Sequence, residues 1–279
     1  MDHSIQISNI YINLAYILIL AAPLMLTYTF LFARKNKIAA YIIAGATVLF
    51  QGFHTLEHII QTNFWFSNKW SAPYMTPIAK SVASGLETVH RRAFELTTAP
   101  TLGMELLHFY GNLIFFVGIL AIYLSKTFYH RRTLVKYPLV FEGIHLVEHT
   151  TLLFSVLMGA SPWGASTLFS QLSGTQLSIH RIWWHFIMNV VAFILTVLAL
   201  TMKKFPKFIP SITTITLTNL LPIIFSYFYG VANSGYYSIT DIFSQQTLIA
   251  VFLNPLSITG YYFLYKVISS KKESIKNRP

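Results

Sequence analysis

The chain has 279 residues, of which 54% are hydrophobic and only 10% are charged. Soluble domains carry about 25% charged residues, so this composition excludes a water-soluble globule and indicates an integral membrane protein. The net charge is +11, but the basic residues form short clusters between apolar runs, which does not favour a nucleic-acid partner. Because the sequence has no cysteine, disulfides and thiolate metal ligands are excluded.

Apolar runs long enough to span a bilayer recur along the chain, since a spanning helix needs about 20 residues. Seven of them lie at 11–33, 39–60, 102–125, 137–157, 182–202, 209–229 and 247–268. We therefore predict an all-α integral membrane protein with about seven transmembrane helices, forming a single polytopic domain over residues 1–279. No basic residue precedes the first run, and a basic cluster follows it, which is the opposite order to a cleaved signal peptide.

The basic residues predict the orientation of these helices. Fifteen of the twenty lie in four clusters on one side, at 34–37, 126–136, 203–207 and 266–278. The positive-inside rule makes this side cytoplasmic, so we expect an extracytoplasmic N-terminus and a cytoplasmic C-terminus. On the other side, the long connection at 61–101 has apolar residues at helical spacing, which predicts a surface helix that could act as a lid.

A short polar string occurs twice within the predicted helices. Gly52-Phe-His54-Thr-Leu-Glu57-His58 returns as Gly143-Ile-His145-Leu-Val-Glu148-His149. Each copy is followed by a second matching string, first His108-x-x-x-Asn112 and then His185-x-x-x-Asn189. The spacing predicts an internal parallel repeat, in which predicted helices two and three (about 39–126) match helices four and five (about 133–203).

Helical geometry places the polar residues of each string on one face. Residues at i, i+3 and i+4 project in the same direction, so His54, Glu57 and His58 share a face, as do their counterparts in the second copy. Ionisable residues inside a membrane are costly and are read as functional by default. Four histidine-bearing faces at a similar depth are typical of metal sites in helical bundles.

The predicted site contains ten ionisable residues and three amides. The predicted metal ligands are His54, His58, His108, His145, His149, His185, Glu105 and Glu142. The predicted catalytic residues are Glu57 and Glu148. Of these two, we expect Glu57 to carry protons and Glu148, which lies in the more anionic face, to bind the metal as well. Gln51, Asn112 and Asn189 are predicted to support them. Imidazole and carboxylate groups without thiolates suit a transition metal ion such as zinc, iron, copper or manganese, in a mono- or dinuclear site.

These patterns favour a metal-dependent oxidoreductase or hydrolase that opens to the extracytoplasmic side and acts on a small or lipophilic substrate. The alternatives are a metal-ion or proton transporter, a non-catalytic metal- or haem-binding subunit of a membrane complex, and a metal-free hydrogen-bond network. A transporter needs a polar path on the cytoplasmic side, where predicted helices two to five have no histidine or acidic residue. Besides the bilayer and the substrate, the sequence leaves homo- and hetero-oligomeric partners open.

Overall fold

The computed structural model describes residues 3–67, 75–94, 101–158 and 181–201, together with residues 261, 262 and 265. This part of the chain is all-helical. Its elements are α1 (His3–Tyr28), which continues into the π-helical turn Thr29–Ala33, α2 (Lys37–Ser67), α3 (Pro77–Phe94), α4 (Leu102–Leu124), the 3-10 helix Lys126–Arg131, α5 (Arg132–Leu157) and α6 (Arg181–Thr201).

Four helical segments of the described chain are long and apolar enough to cross a membrane. They are Asn9–Ala33, Lys37–Phe64, Leu102–Leu124 and Lys126–Leu157. Large apolar side chains cover the outside of the molecule, as at Ile17 and Leu49, which are 60% and 66% exposed, whereas Glu142 and His145 are completely buried. Lipid solvates apolar surface and does not hydrate charge, so this distribution fits a membrane protein.

Helices α2, α4, α5 and α6 form a closed four-helix bundle. Helix α2 packs against α4 and α6, and α5 packs against the same two helices. The Ser125 hydroxyl donates to the Ala33 carbonyl at 3.0 Å, and an Arg131 guanidinium nitrogen lies 3.4 Å from the Ala199 carbonyl. These contacts bring the start of α2, the end of α4, the start of α5 and the end of α6 to one end of the bundle, which we call the basic end.

The basic end of the bundle is filled with apolar side chains from all four helices. This apolar layer consists of Ala40, Ala44, Phe115, Ile119, Ile122, Phe128, Val135, Tyr137, Phe141, Met188, Val191, Ala192, Leu195 and Ala199. The layer closes the interior at this end because its members are buried and in mutual contact. The six histidines that the sequence singles out lie in the opposite half of the same helices.

Helices α1 and α3 pack outside the bundle against α4. The approach is close at two glycines: a Cβ at Gly85 would lie 2.5 Å from the Tyr11 carbonyl oxygen, and one at Gly103 would lie 2.6 Å from the Ala83 carbonyl oxygen. A larger residue at either position would push the two backbones apart. Glycine therefore allows α3 to lie tightly between α1 and α4.

The described helices agree in type with the predicted ones but differ in extent. Helix α2 continues to Ser67, seven residues beyond the predicted end at Ile60, because residues 61–67 contain neither glycine nor proline. The helix predicted in the long connection corresponds to α3, which buries Val82, Leu86 and Val89.

Two of the predicted spans, 209–229 and 247–268, lie outside the described residues except for positions 261, 262 and 265. Seven spans and the internal repeat therefore stay predictions.

Candidate metal centre

Six histidines from the four bundle helices meet in the half of the bundle away from the basic end. This histidine layer consists of His54 and His58 on α2, His108 on α4, His145 and His149 on α5, and His185 on α6. The centroids of neighbouring rings are 4.6 to 6.2 Å apart. The four polar faces predicted from the sequence thus converge on one another.

His145, His149 and His185 have the geometry of a metal-binding group. Their ligand nitrogens all lie within 4.8 Å of one another, and all three side chains are buried. The Nε2 atoms of His145 and His149 are 3.0 Å apart. Bonds of about 2.0–2.1 Å from two imidazole nitrogens to one ion place the nitrogens roughly 3 Å apart. These three residues could therefore hold a metal ion.

Two buried glutamates lie beside this group. Glu142 Oε2 is 3.4 Å from His145 Nδ1, and because a carboxylate can only accept, Nδ1 is the donor. Such a carboxylate behind a histidine directs the Nε2 lone pair toward a metal and makes the imidazole more basic. Glu148 Oε1 lies 3.9 Å from His185 Nε2. Both carboxylates are fully buried, a costly state that a bound cation would stabilise.

The other three histidines have a related arrangement. The Nε2 atoms of His54 and His58 are 3.0 Å apart. His108 Nδ1 donates to the Met104 carbonyl at 2.8 Å, which leaves its Nε2 as the ligand atom. Gly111 makes room for His54, since a Cβ there would lie 3.0 Å from the Cε1 and Nδ1 atoms of that ring.

Three amide side chains lie one helical turn closer to the basic end than the histidines do. The Gln51 amide nitrogen donates to Asn189 Oδ1 at 2.7 Å and so joins α2 to α6. Asn112 and Asn189 each donate to the carbonyl of the histidine four residues earlier, at 2.8 Å. All three amides are completely buried, as the supporting role predicted for them requires. They separate the histidine layer from the apolar layer.

The remaining two predicted glutamates lie in different settings. Glu57 is partly buried, and its carboxylate accepts hydrogen bonds from the Thr76 amide at 3.0 Å, the Thr76 hydroxyl at 2.7 Å and the Gln61 amide at 3.2 Å. It therefore connects α2 to the start of α3. Glu105 is buried in the first turn of α4, one turn before His108 and on the side away from the basic end.

Two residues that position the site, Thr76 and Gly111, are not predicted from the sequence. Thr76 precedes Pro77 at the start of α3, and threonine followed by proline is typical of a helix N-cap, so a signal for its position existed. Gly111 has no such signal, because its role depends on a ring that belongs to another helix.

Comparison with known proteins identifies a family but no activity. A family model described as a family of unknown function (DUF6008) matches residues 1–207. No curated protein matches the chain, and no solved structure matches it. The matched residues make up well over half of the chain and include the whole histidine layer. The chain therefore belongs to the DUF6008 family.

Proposed function

We propose that this protein is an intramembrane metalloenzyme. The observation that carries the proposal is the buried group His145, His149 and His185, whose ligand nitrogens lie within 4.8 Å of one another. Three histidine ligands with a further position open to water or substrate are typical of catalytic rather than structural metal sites. In this reading Glu148, beside His185, accepts or delivers protons at the site, and the ion supplies Lewis-acid or redox chemistry.

The site opens away from the basic end, which we assign to the cytoplasmic side. The apolar layer supports this assignment, because it fills the interior between the histidine layer and the basic end. The positive-inside rule then makes the opening extracytoplasmic. A substrate that reaches a polar centre between apolar helices is small or lipophilic.

The matched contacts of the two copies support the parallel repeat. The histidine pairs on α2 and α5 both have Nε2 atoms 3.0 Å apart. Asn112 and Asn189 make the same hydrogen bond, at the same length, to His108 and His185. We infer that α2 with α4 and α5 with α6 are equivalent units about an axis along the membrane normal.

Two alternatives agree less well with these contacts. A transporter needs the centre to be reached from both sides, whereas the described half of the bundle at the basic end is apolar. A haem needs one axial histidine from each of two helices and would leave the buried carboxylates of Glu142 and Glu148 beside the histidines without a role.

Elemental analysis of the full-length protein purified in detergent tests the proposal. We expect at least one transition metal ion per chain, and loss of metal in His149→Ala. Ser155→Ala is the matched control, because Ser155 is buried in the same helix and, among the described residues, its hydroxyl bonds only to the Thr151 carbonyl of that helix. Zinc would assign the centre to hydrolytic chemistry, and iron or copper to redox chemistry. Protein that stays metal-free after reconstitution with zinc, iron and copper would refute the proposal.

A further inference from the structure

The histidines of the first copy repeat the ligand geometry of the second. On α2 as on α5, two histidines four residues apart point their Nε2 atoms at each other across 3.0 Å. In each copy the third histidine comes from the next bundle helix along the chain. The His58 and His108 rings are 5.6 Å apart, and the His149 and His185 rings are 4.6 Å apart. The first group is therefore more open than the second, and among the described residues only the second has three histidine ligand nitrogens within 4.8 Å of one another.

The ligand atoms of the first group are directed at one another. His58 is 1% exposed, and its Nε2 atom faces the Nε2 atom of His54. The His108 ring is held by its Nδ1 bond to the Met104 carbonyl, so its Nε2 is directed away from that bond. Two facing Nε2 atoms can share one hydrogen bond at most, whereas a cation bound between them would accept both lone pairs.

The two groups are contiguous but differ in what lies behind their ligands. The His108 and His149 rings stack with their centroids 5.3 Å apart and their planes at 8°. In the second group a carboxylate, Glu142, backs His145. At the matching position the first group has Gln51, which is bonded to Asn189 instead. A carboxylate behind a ligand typically raises metal affinity about 10- to 100-fold.

We propose that His54, His58 and His108 form a second metal site, so that the bundle holds a dinuclear centre with two unequal halves. This inference rests on the proposed function, because it takes the His145 group as the first site. All-imidazole ligands suit a divalent ion of the zinc, copper or iron class. The first-copy ion binds more weakly than the second-copy ion because it lacks the Glu142 carboxylate.

Cobalt(II) titration of the full-length, metal-stripped protein in detergent tests this inference, because cobalt absorption reports ligand binding directly. We expect two cobalt ions per chain with affinities that differ about 10- to 100-fold. His58→Gln should remove the weaker ion and leave the tighter one, and His149→Gln should do the reverse. Ser155→Ala should keep both ions.

The possible failures are distinguishable. One cobalt ion per chain that survives in His58→Gln and disappears in His149→Gln would overturn the second site and leave the proposed function intact. One ion that disappears in both variants would mean a single site shared between the copies and would also overturn the inference. No cobalt binding at all would refute the proposed function. If either variant does not fold, the stoichiometry of the unmodified protein still decides between one site and two.

Discussion

At the scale of single residues, the duplicated string places the same side chain in two environments. Glu148 lies 3.9 Å from His185 of the candidate metal-binding group, whereas Glu57 is held by Thr76 and Gln61. Both follow a histidine by three residues, so the sequence treats them as equivalents. The contacts favour Glu148 for chemistry at the ion and Glu57 for attachment of α3.

A pair of glutamine variants separates these roles. Glutamine keeps the volume of glutamate but cannot carry its charge or shuttle a proton. We expect Glu148→Gln to weaken metal binding about 10- to 100-fold in a chelator competition while the protein stays folded. Glu57→Gln, the matched variant, should bind metal like the unmodified protein. Equal weakening in both variants would contradict this assignment.

Gly111→Ala tests the space made for His54. The added methyl group would lie 3.0 Å from two atoms of the ring, and overpacking of this kind costs about 1–3 kcal/mol. We expect a lower free energy of unfolding in detergent. Gly45→Ala is the control, because a Cβ there meets nothing within 4 Å, and it should be neutral or stabilise the helix by up to about 1 kcal/mol. An equally tolerated Gly111→Ala would mean that His54 can move freely.

At the scale of elements, α3 is attached to the bundle by specific polar contacts as well as by packing. The Thr76 hydroxyl caps the start of the helix, accepting from the Ala79 amide at 3.3 Å while it donates to Glu57. Near the other end, His90 Nε2 lies 2.9 Å from the Tyr110 hydroxyl of α4. Hydrogen bonds therefore attach both ends of α3 to the bundle, and we expect the start of α3 to move only when the bond between Thr76 and Glu57 breaks.

Thr76→Val removes the contact that holds the start of α3. The variant loses the helix cap and one hydrogen bond to a carboxylate, together about 2–5 kcal/mol. We expect faster amide hydrogen exchange in residues 77–94, measured by mass spectrometry. Thr88→Val, on the same helix, loses only a hydrogen bond to the Ser84 carbonyl and should leave this exchange nearly unchanged. Equal exchange in the two variants would show that packing alone holds α3.

At the scale of the whole molecule, the basic residues and the apolar layer lie at the same end of the bundle. The basic residues Arg34, Lys126 and Arg131 lie at the end that the apolar layer fills. The histidine layer lies toward the other end. A basic end filled with apolar side chains agrees with the proposed cytoplasmic placement of that end.

Cysteine labelling tests this orientation, since the native chain has no cysteine. Ser67→Cys lies at the end of α2 away from the basic end, and Thr133→Cys is exposed at the start of α5. A membrane-impermeant maleimide should label the first in intact cells and the second only after permeabilisation. The reverse pattern would place the site opening in the cytoplasm.

The sequence alone predicts which segments are apolar helices and which residues share their faces. Apolar runs of about 20 residues and a helical period of 3.6 are local properties, so the strings around His54 and His145 already indicate four histidine-bearing faces. The convergence of these faces at one depth also follows from helices that alternate in direction. These predictions need only the order of the residues along the chain.

Only the tertiary structure decides which partners the side chains meet. Gln51 bonds to Asn189, Glu57 to Thr76, and Gly111 leaves space for His54, although none of these pairs is close in sequence. Such contacts depend on how far each helix is rotated and shifted against its neighbour, and packing of all the helices together sets both quantities. For the same reason, two matching strings place Glu148 beside His185 and Glu57 at the start of α3.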